Sequence, residues 1–229
     1  MQLYYESEME EIVNLERRTV TDAVYEQLRK DIIEMFYQPG ERLSEQKIAQ
    51  RYGVSRDPVR KAVSRLVQEH LLISKPQCGT FVSELSIKQG REVCEIRLLL
   101  EAHAVRTACA HIPQEELDQL VSDLEKTRRI AEEKDEEEAR QYIYRLDEQM
   151  HRTIWKYCGN EMIGSIIRSY DFIVKRIQIS NMQYHRRKSG TLLEMGEIIL
   201  ALAKRDVDAA VKAMEIHIGN IKKTLVESQ

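Results

Sequence analysis

Gly53 constrains this chain more than any other single residue, because two helical stretches meet at it. Residues 45–52 follow Ser44, a residue suited to cap a helix start, and glycine tolerates the left-handed backbone that ends a helix and turns the chain. Beyond it, VSRDPVRKAVSRL (54–66) repeats Val59, Ala62, Val63 and Leu66 at helical spacing. Ser55 is placed to cap this second helix, and Pro58 falls in its first turn, where a missing N–H costs little. Asp57 suits the positive end of the helix dipole. A short helix and a longer one must therefore join across a tight turn.

The flanks complete the unit. Upstream, about Thr21 to Phe36 reads as a helix with Thr21 as N-cap and Ala23, Val24, Leu28, Ile32 and Ile33 as its buried stripe; QPGERLS then breaks it. Downstream, the helix after Gly53 ends near His70, and LLISKPQCGTFVSEL places two short β-leaning runs around a Lys-Pro-Gln-Cys-Gly-Thr turn. Helix, short helix, glycine turn, helix and β-wing predict a winged helix-turn-helix over residues 17–85, preceded by an acidic extension over 1–16 that holds five acids and no base. The whole chain carries −3, but residues 47–65 hold six bases against one acid, so a phosphate-binding surface would be local. Arg56 and Arg60 are four apart and share one helix face. Arginine clamps guanine O6 and N7 with two bonds and also neutralises phosphate. The competing reading is a solvated basic face, or a wing that serves protein contacts.

The segment PGERLSEQKIAQRYGVSRDPVRKAVSRLVQEHLLISKPQCGTFV resembles the GntR family of bacterial transcription regulators. The resemblance implies DNA contacts from Arg56 and Arg60, with Ser55 and Asp57 beside them. It also implies a basic contact from Lys47 and a wing tip at Gly79 and Thr80 that reaches the minor groove. Where the family carries Thr or Ser, this chain has Asp57, which either caps its helix or accepts from a cytosine amino group.

Residues 86–229 show six or seven amphipathic segments and no strand-like alternation. Breaks fall at 111–116, 133–138, 158–160, 184–190 and 204–206, and Asn160 and Asp206 read as N-caps. The expected fold class is mostly α: the winged helix-turn-helix followed by an antiparallel all-α bundle that binds an effector and dimerises. The segments EIRLLLEAHAVRTA (95–108), RLDEQMHRTIWKYCGN (145–160) and EMGEIILALAKRDVDAAVKAMEIHI (194–218) resemble the effector domain, FCD, of the family's FadR branch. Many such domains hold a divalent metal, zinc or nickel, through one aspartate and three histidines. The resemblance carries that role to Asp147, His151 and His217, but the remaining position is Met195, and a thioether is a poor ligand for either metal. Asp147 and His151 stand i, i+4 on one helix face. Glu194 is expected to point elsewhere. Arg97, on the stripe Val93, Ile96, Arg97 and Leu100, is the expected effector contact, because a buried arginine needs an anion; Glu101 at i+4 is the internal alternative.

The chemistry excluded is as informative. No phosphate loop, GxSxG or HExxH occurs, so an enzyme is not expected. The four cysteines are scattered, and no apolar run approaches the ~18 residues of a membrane span. No basic start and apolar core of a signal peptide is seen, which points to the cytoplasm. These features predict a homodimer that binds a palindromic double-stranded DNA operator, with affinity set by a small organic acid.

Overall fold

The structure, a computed structural model, describes residues 19–180 and 188–226. The acidic extension and most of the break at 184–190 lie outside the described residues. The chain divides into two compact units, 1–84 and 85–229.

In the first unit, α1 (Val20–Ile33), β1 (Arg42–Leu43), α2 (Glu45–Tyr52), α3 (Arg56–Gln68), β2 (Leu72–Lys75) and β3 (Gly79–Val82) follow in order. Helix α1 begins earlier than expected. Thr19 is its N-cap: the hydroxyl accepts from the Asp22 N–H, and the Asp22 carboxylate accepts from the Thr19 N–H. That reciprocal pair satisfies two donors and outcompetes Thr21. Ala23 is exposed, and Tyr25 takes its place on the buried stripe. Helix α2 starts and ends where the sequence places it, with Ser44 accepting from the Lys47 N–H and Gly53 left-handed at φ 66°. Ser55 is the N-cap of α3 by backbone conformation, yet its hydroxyl makes no capping bond. Helix α3 closes at Gln68, and His70 adopts a left-handed φ of 62°.

The wing has a third strand that the sequence did not announce. The order is β1-β3-β2, both pairs antiparallel, with Leu43 opposite Thr80 and Ser74 opposite Thr80 from the other side. Two residues of QPGERLS are too few for an alternating pattern, so only the pairing partner reveals β1. Leu28, Ile32, Val59, Ala62, Leu66 and Leu71 form the fully buried centre of this unit. Buried Asp31 ties α1 to α2: it accepts from Tyr52 Oη at 2.9 Å and Gln27 Nε2 at 2.7 Å, and it pairs with Arg51 at 3.1 Å.

The second unit is helical throughout its described residues: α4 (Ile87–Ala108), α5 (Gln114–Glu133), α6 (Glu136–Tyr157), α7 (Glu161–Ser180), α8 (Lys188–Ala203) and α9 (Val207–Val226). Asn160 caps α7 through the Met162 N–H, and Asp206 caps α9 through the Ala209 N–H. Helix α4 packs on α9, α7 and α6. Its Gly90 allows the closest approach, since a Cβ there would lie 2.6 Å from Ile177 Cδ1 and 3.1 Å from Leu225 Cδ1. Ile96 is 43% exposed and Leu100 half-buried, so the inward stripe of α4 is Val93, Cys94, Arg97, Glu101, Ala104 and Val105. Among the described residues no helix is long and apolar enough to cross a membrane.

At Gly53 a Cβ would meet nothing within 4 Å, so only backbone strain opposes substitution. Gly53→Ala should destabilise the winged unit by about 1 kcal/mol, and Gly53→Asn by less, measured by urea unfolding.

Candidate functional site

The first candidate surface is α3 with its surroundings. Burial of Val59, Ala62, Val63 and Leu66 turns the opposite face of the helix outward. Arg56 and Arg60 stand on that face with side chains 70% and 69% exposed. Lys47 is exposed on α2. Asp57 does not cap backbone; its carboxylate pairs with Arg60 and Lys61, which hold its pKa below the usual range through hydrogen bonds, Lys61 first. Gly79, at φ 108°, lies at the wing tip next to Thr80. Arg42, carried by β1, lies over Gly79, and its Nε would be 3.1 Å from a Cβ there. The sequence reading missed Arg42 as a wing-tip cation because it missed the strand that presents it.

The second candidate is a buried polar centre in the helical unit. It gathers Arg97 and Glu101 from α4, Asp147 and His151 from α6, Asp171 from α7, Glu194 from α8 and His217 from α9. Arg97 Nε donates to Glu101 Oε1 at 2.6 Å, Nη1 faces Asp171 at 3.3 Å, and Nη2 lies 3.3 Å from His151 Nε2. Both Arg97 and Glu101 are essentially closed to solvent. Burial pushes the Glu101 carboxyl up, but Arg97 and then His151 overcome it and hold the group down at about 2. The Arg97–Glu101 pair, the internal alternative at i, i+4, is present, and the guanidinium still has two of its five N–H donors beyond these three contacts.

Asp147, His151 and His217 do converge. Asp147 Oδ1 lies 3.7 Å from His151 Nε2 and 3.3 Å from His217 Nε2, and one ligand atom from each of the three falls within 4.8 Å of the others. The 3.3 Å approach does not meet hydrogen-bond geometry. Asp147 Oδ1 and His217 Nε2 are therefore buried polar atoms without a hydrogen-bond partner. Behind each ring stands a carboxylate: Glu101 against His151 Nδ1, and Glu194 Oε2 at 3.1 Å from His217 Nδ1. Glu194 thus reaches the centre, contrary to expectation. Its neighbour Met195 is fully buried in the bundle core, and Asn220 on α9 donates to Glu194 at 2.7 Å, which draws the carboxylate toward His217. Two unpartnered atoms, Asp147 Oδ1 and His217 Nε2, converge with His151 Nε2, and carboxylates stand behind both rings; the three residues fit a divalent ion, provided that it displaces Arg97 Nη2 from His151 Nε2.

Residues 92–220 match the model of the FCD domain, and residues 20–82 match that of the bacterial regulatory proteins, gntR family. The chain belongs to the GntR family of bacterial transcription regulators with an FCD domain; it is a DNA-binding regulator and not an enzyme. It is 29% identical over 206 residues to the HTH-type transcriptional repressor RspR of Escherichia coli (strain K12), covering 90% of this chain and 89% of that protein. It is 28% identical over 196 residues to the HTH-type transcriptional regulator YdhC of Bacillus subtilis (strain 168), covering 86% of each. Among solved structures, E. coli McbR/YncC shares the fold with a TM-score of 0.75 at 21% identity, covering 91% of this chain and 98% of that one.

Replacing Arg97 with Met leaves Glu101 buried with only the His151 ring beside it, while Asp171 keeps Lys175 at 2.9 Å. The loss should be about 3–5 kcal/mol of stability in urea unfolding. The pH response follows from His217. Burial opposes its charged form, but Asp147 and Glu194 raise its pKa from 6.5 to about 9. The stability it contributes is complete below pH 6.5 and is lost as pH rises through about 9. In protein stripped with EDTA, the melting temperature should fall across that window, and His217→Gln should flatten the fall.

Proposed function

We propose that the chain is a ligand-responsive regulator that binds an inverted-repeat operator as a homodimer. Residues 17–85 act as its DNA-binding domain and 86–229 as its effector-binding and dimerisation domain. The observation that carries this reading is the outward row of Arg56 and Arg60 on a helix whose other face is the unit's core. One such helix spans one half-site, and two-fold symmetric dimers read palindromic half-sites. Arg56 and Arg60 read base edges, Lys47 and Ser55 engage phosphate, and Gly79 and Thr80 bring the wing to the minor groove. The experiment is enrichment of a randomised duplex pool, with light scattering to read the dimer. Arg56→Ala or Arg60→Ala should cost ~1–3 kcal/mol on the enriched duplex and relax base preference, whereas Lys47→Ala should weaken all duplexes alike and flatten the salt slope. Equal losses on enriched and scrambled duplexes for all three would restrict the arginines to phosphate.

The effector is a small organic anion, a carboxylate, at the buried centre. Arg97 has donors to spare for it, and Asp147, His151 and His217 hold it directly or through a divalent metal, zinc or nickel. A metal there would supply a Lewis-acidic position for the anion's oxygens. The protein's own part is to orient the ligand atoms: Glu101 and Glu194 turn the two rings so that their Nε2 atoms face Asp147. Anion binding then shifts DNA affinity by its differential affinity for two states, ~1–3 kcal/mol for such coupling. With Met195 in the fourth position, a metal would be held through three side chains, Asp147, His151 and His217. Met195→His should raise zinc or nickel affinity by orders of magnitude in competition with a chelating dye; a wild type that already matches the variant would remove Met195 from the site.

A further inference from the structure

All four basic side chains of α3 face a carboxylate of their own unit. Arg60 Nη2 lies 2.7 Å from Asp57 Oδ1 and Lys61 Nζ 2.8 Å from Asp57 Oδ2, so one carboxylate holds two cations. Arg65 Nη1 donates to Asp22 at 2.8 Å, and Arg56 approaches Glu45 at 4.0 Å. The Asp57 trio differs from the other two pairs in place and in stoichiometry. It sits in the first turns of the helix, on the exposed side, with Asp57 half in solvent. Residues 57, 60 and 61 are three and four apart, so the carboxylate lies on the same patch as the cations it holds.

We propose that Asp57 is a positioning residue that sets DNA specificity. It fixes the Arg60 fork for a guanine edge and withholds Arg60 and Lys61 from phosphates at random sequence. The inference rests on the reading of α3 as the helix that enters the groove.

The physical argument has two parts. Binding to arbitrary duplex is driven by counterion release, and the gain scales with the number of cations free to neutralise phosphate. The Asp57, Arg60 and Lys61 trio presents +1 instead of +2, and the carboxylate itself repels the backbone. Non-specific complexes therefore lose attraction. At a guanine the balance differs. The guanidinium is planar and carries five donors, so one Nη2 N–H can stay on Asp57 while other donors of the fork meet O6 and N7. The bond to Asp57 then survives in the specific complex and orders a long side chain in advance, which reduces the entropy lost on binding. The same carboxylate weakens the wrong complexes and pre-arranges the right one. Arg65 and Asp22 carry no such role, because that pair joins α3 to α1 within the unit.

The test uses the full-length protein and Asp57→Ser, with Asp57→Asn as a second variant that keeps a hydrogen-bond acceptor without the charge. Unchanged melting temperatures establish that both fold. A randomised duplex pool is enriched separately by wild type, Asp57→Ser and Arg60→Ala. Affinities for the wild-type-enriched duplex and a scrambled duplex are then read by fluorescence anisotropy across a salt series. In Asp57→Ser the scrambled duplex should bind roughly threefold to tenfold tighter, with the salt slope steeper by about 1. The enriched duplex should gain less, so the specificity ratio falls. Base preference should relax at the position that Arg60→Ala also relaxes, and Asp57→Asn should fall between wild type and Asp57→Ser. Equal change on both duplexes with preference intact would overturn the proposal. So would loss of preference at a position that Arg60→Ala leaves alone, because Asp57 would then read a base itself. A wild type that enriches no sequence would remove the groove-reading role of α3, and with it this inference.

Discussion

The helical unit is organised around one buried ion pair, Arg97 with Glu101. Both groups are closed to solvent, and neither would be tolerated there alone. Their spare valences recruit the neighbours: Asp171 of α7 to Arg97 Nη1, and His151 of α6 to both partners. Three helices are thereby held in one register by charge, within a core that is mostly apolar. Apolar packing fixes volume but is indifferent to small slides; directional bonds in a low-dielectric interior are not. The same pair places His151 so that its Nε2 faces Asp147. Structural register and the candidate ligand position are consequences of a single arrangement.

A cation is already built into the effector region, and its partners include a histidine ring and two carboxylates. On the function proposed above, an incoming anion would enter a network and not a bare positive pocket. It would compete with Asp171 and Glu101 for Arg97, or use donors they leave free. Either route would change the balance of forces on α4, α6 and α7 together. That is the kind of two-state element through which a ligand in a bundle can act on another unit of its chain. The winged unit uses charge differently. Apart from the buried Asp31–Arg51 pair, the ion pairs of α3 there are largely exposed and individually weak, so they contribute little to the fold.

Much of this was legible in residue order. The Ser44 cap, the Gly53 turn and the Pro58 start describe α2 and α3 through local rules that tertiary contacts did not override. The caps Asn160 and Asp206 were visible for the same reason. Where local rules competed, the sequence misled. Thr19 and Thr21 are both plausible N-caps, and only the reciprocal Asp22 bond selects the first. Strand β1 has two residues and no pattern, and exists because β3 offers it an edge. On α4, Ile96 looked inward by composition, yet Arg97 and Glu101 took the inner face and turned Ile96 out.

What the sequence by itself determined is therefore the local and the periodic: helix boundaries set by caps and glycine, the winged order of elements, and the i, i+4 relation of Asp147 to His151. Those relations depend on backbone geometry within a few residues. What only the tertiary structure decided is which side chains from distant helices share a volume. His217 lies 66 residues after His151 in sequence, yet its ring centroid sits 5.6 Å away. Glu194 turns toward that ring and not into solvent because Asn220 and His217, both on α9, bind its two oxygens. No periodicity encodes such a meeting, because it depends on how α8 and α9 pack.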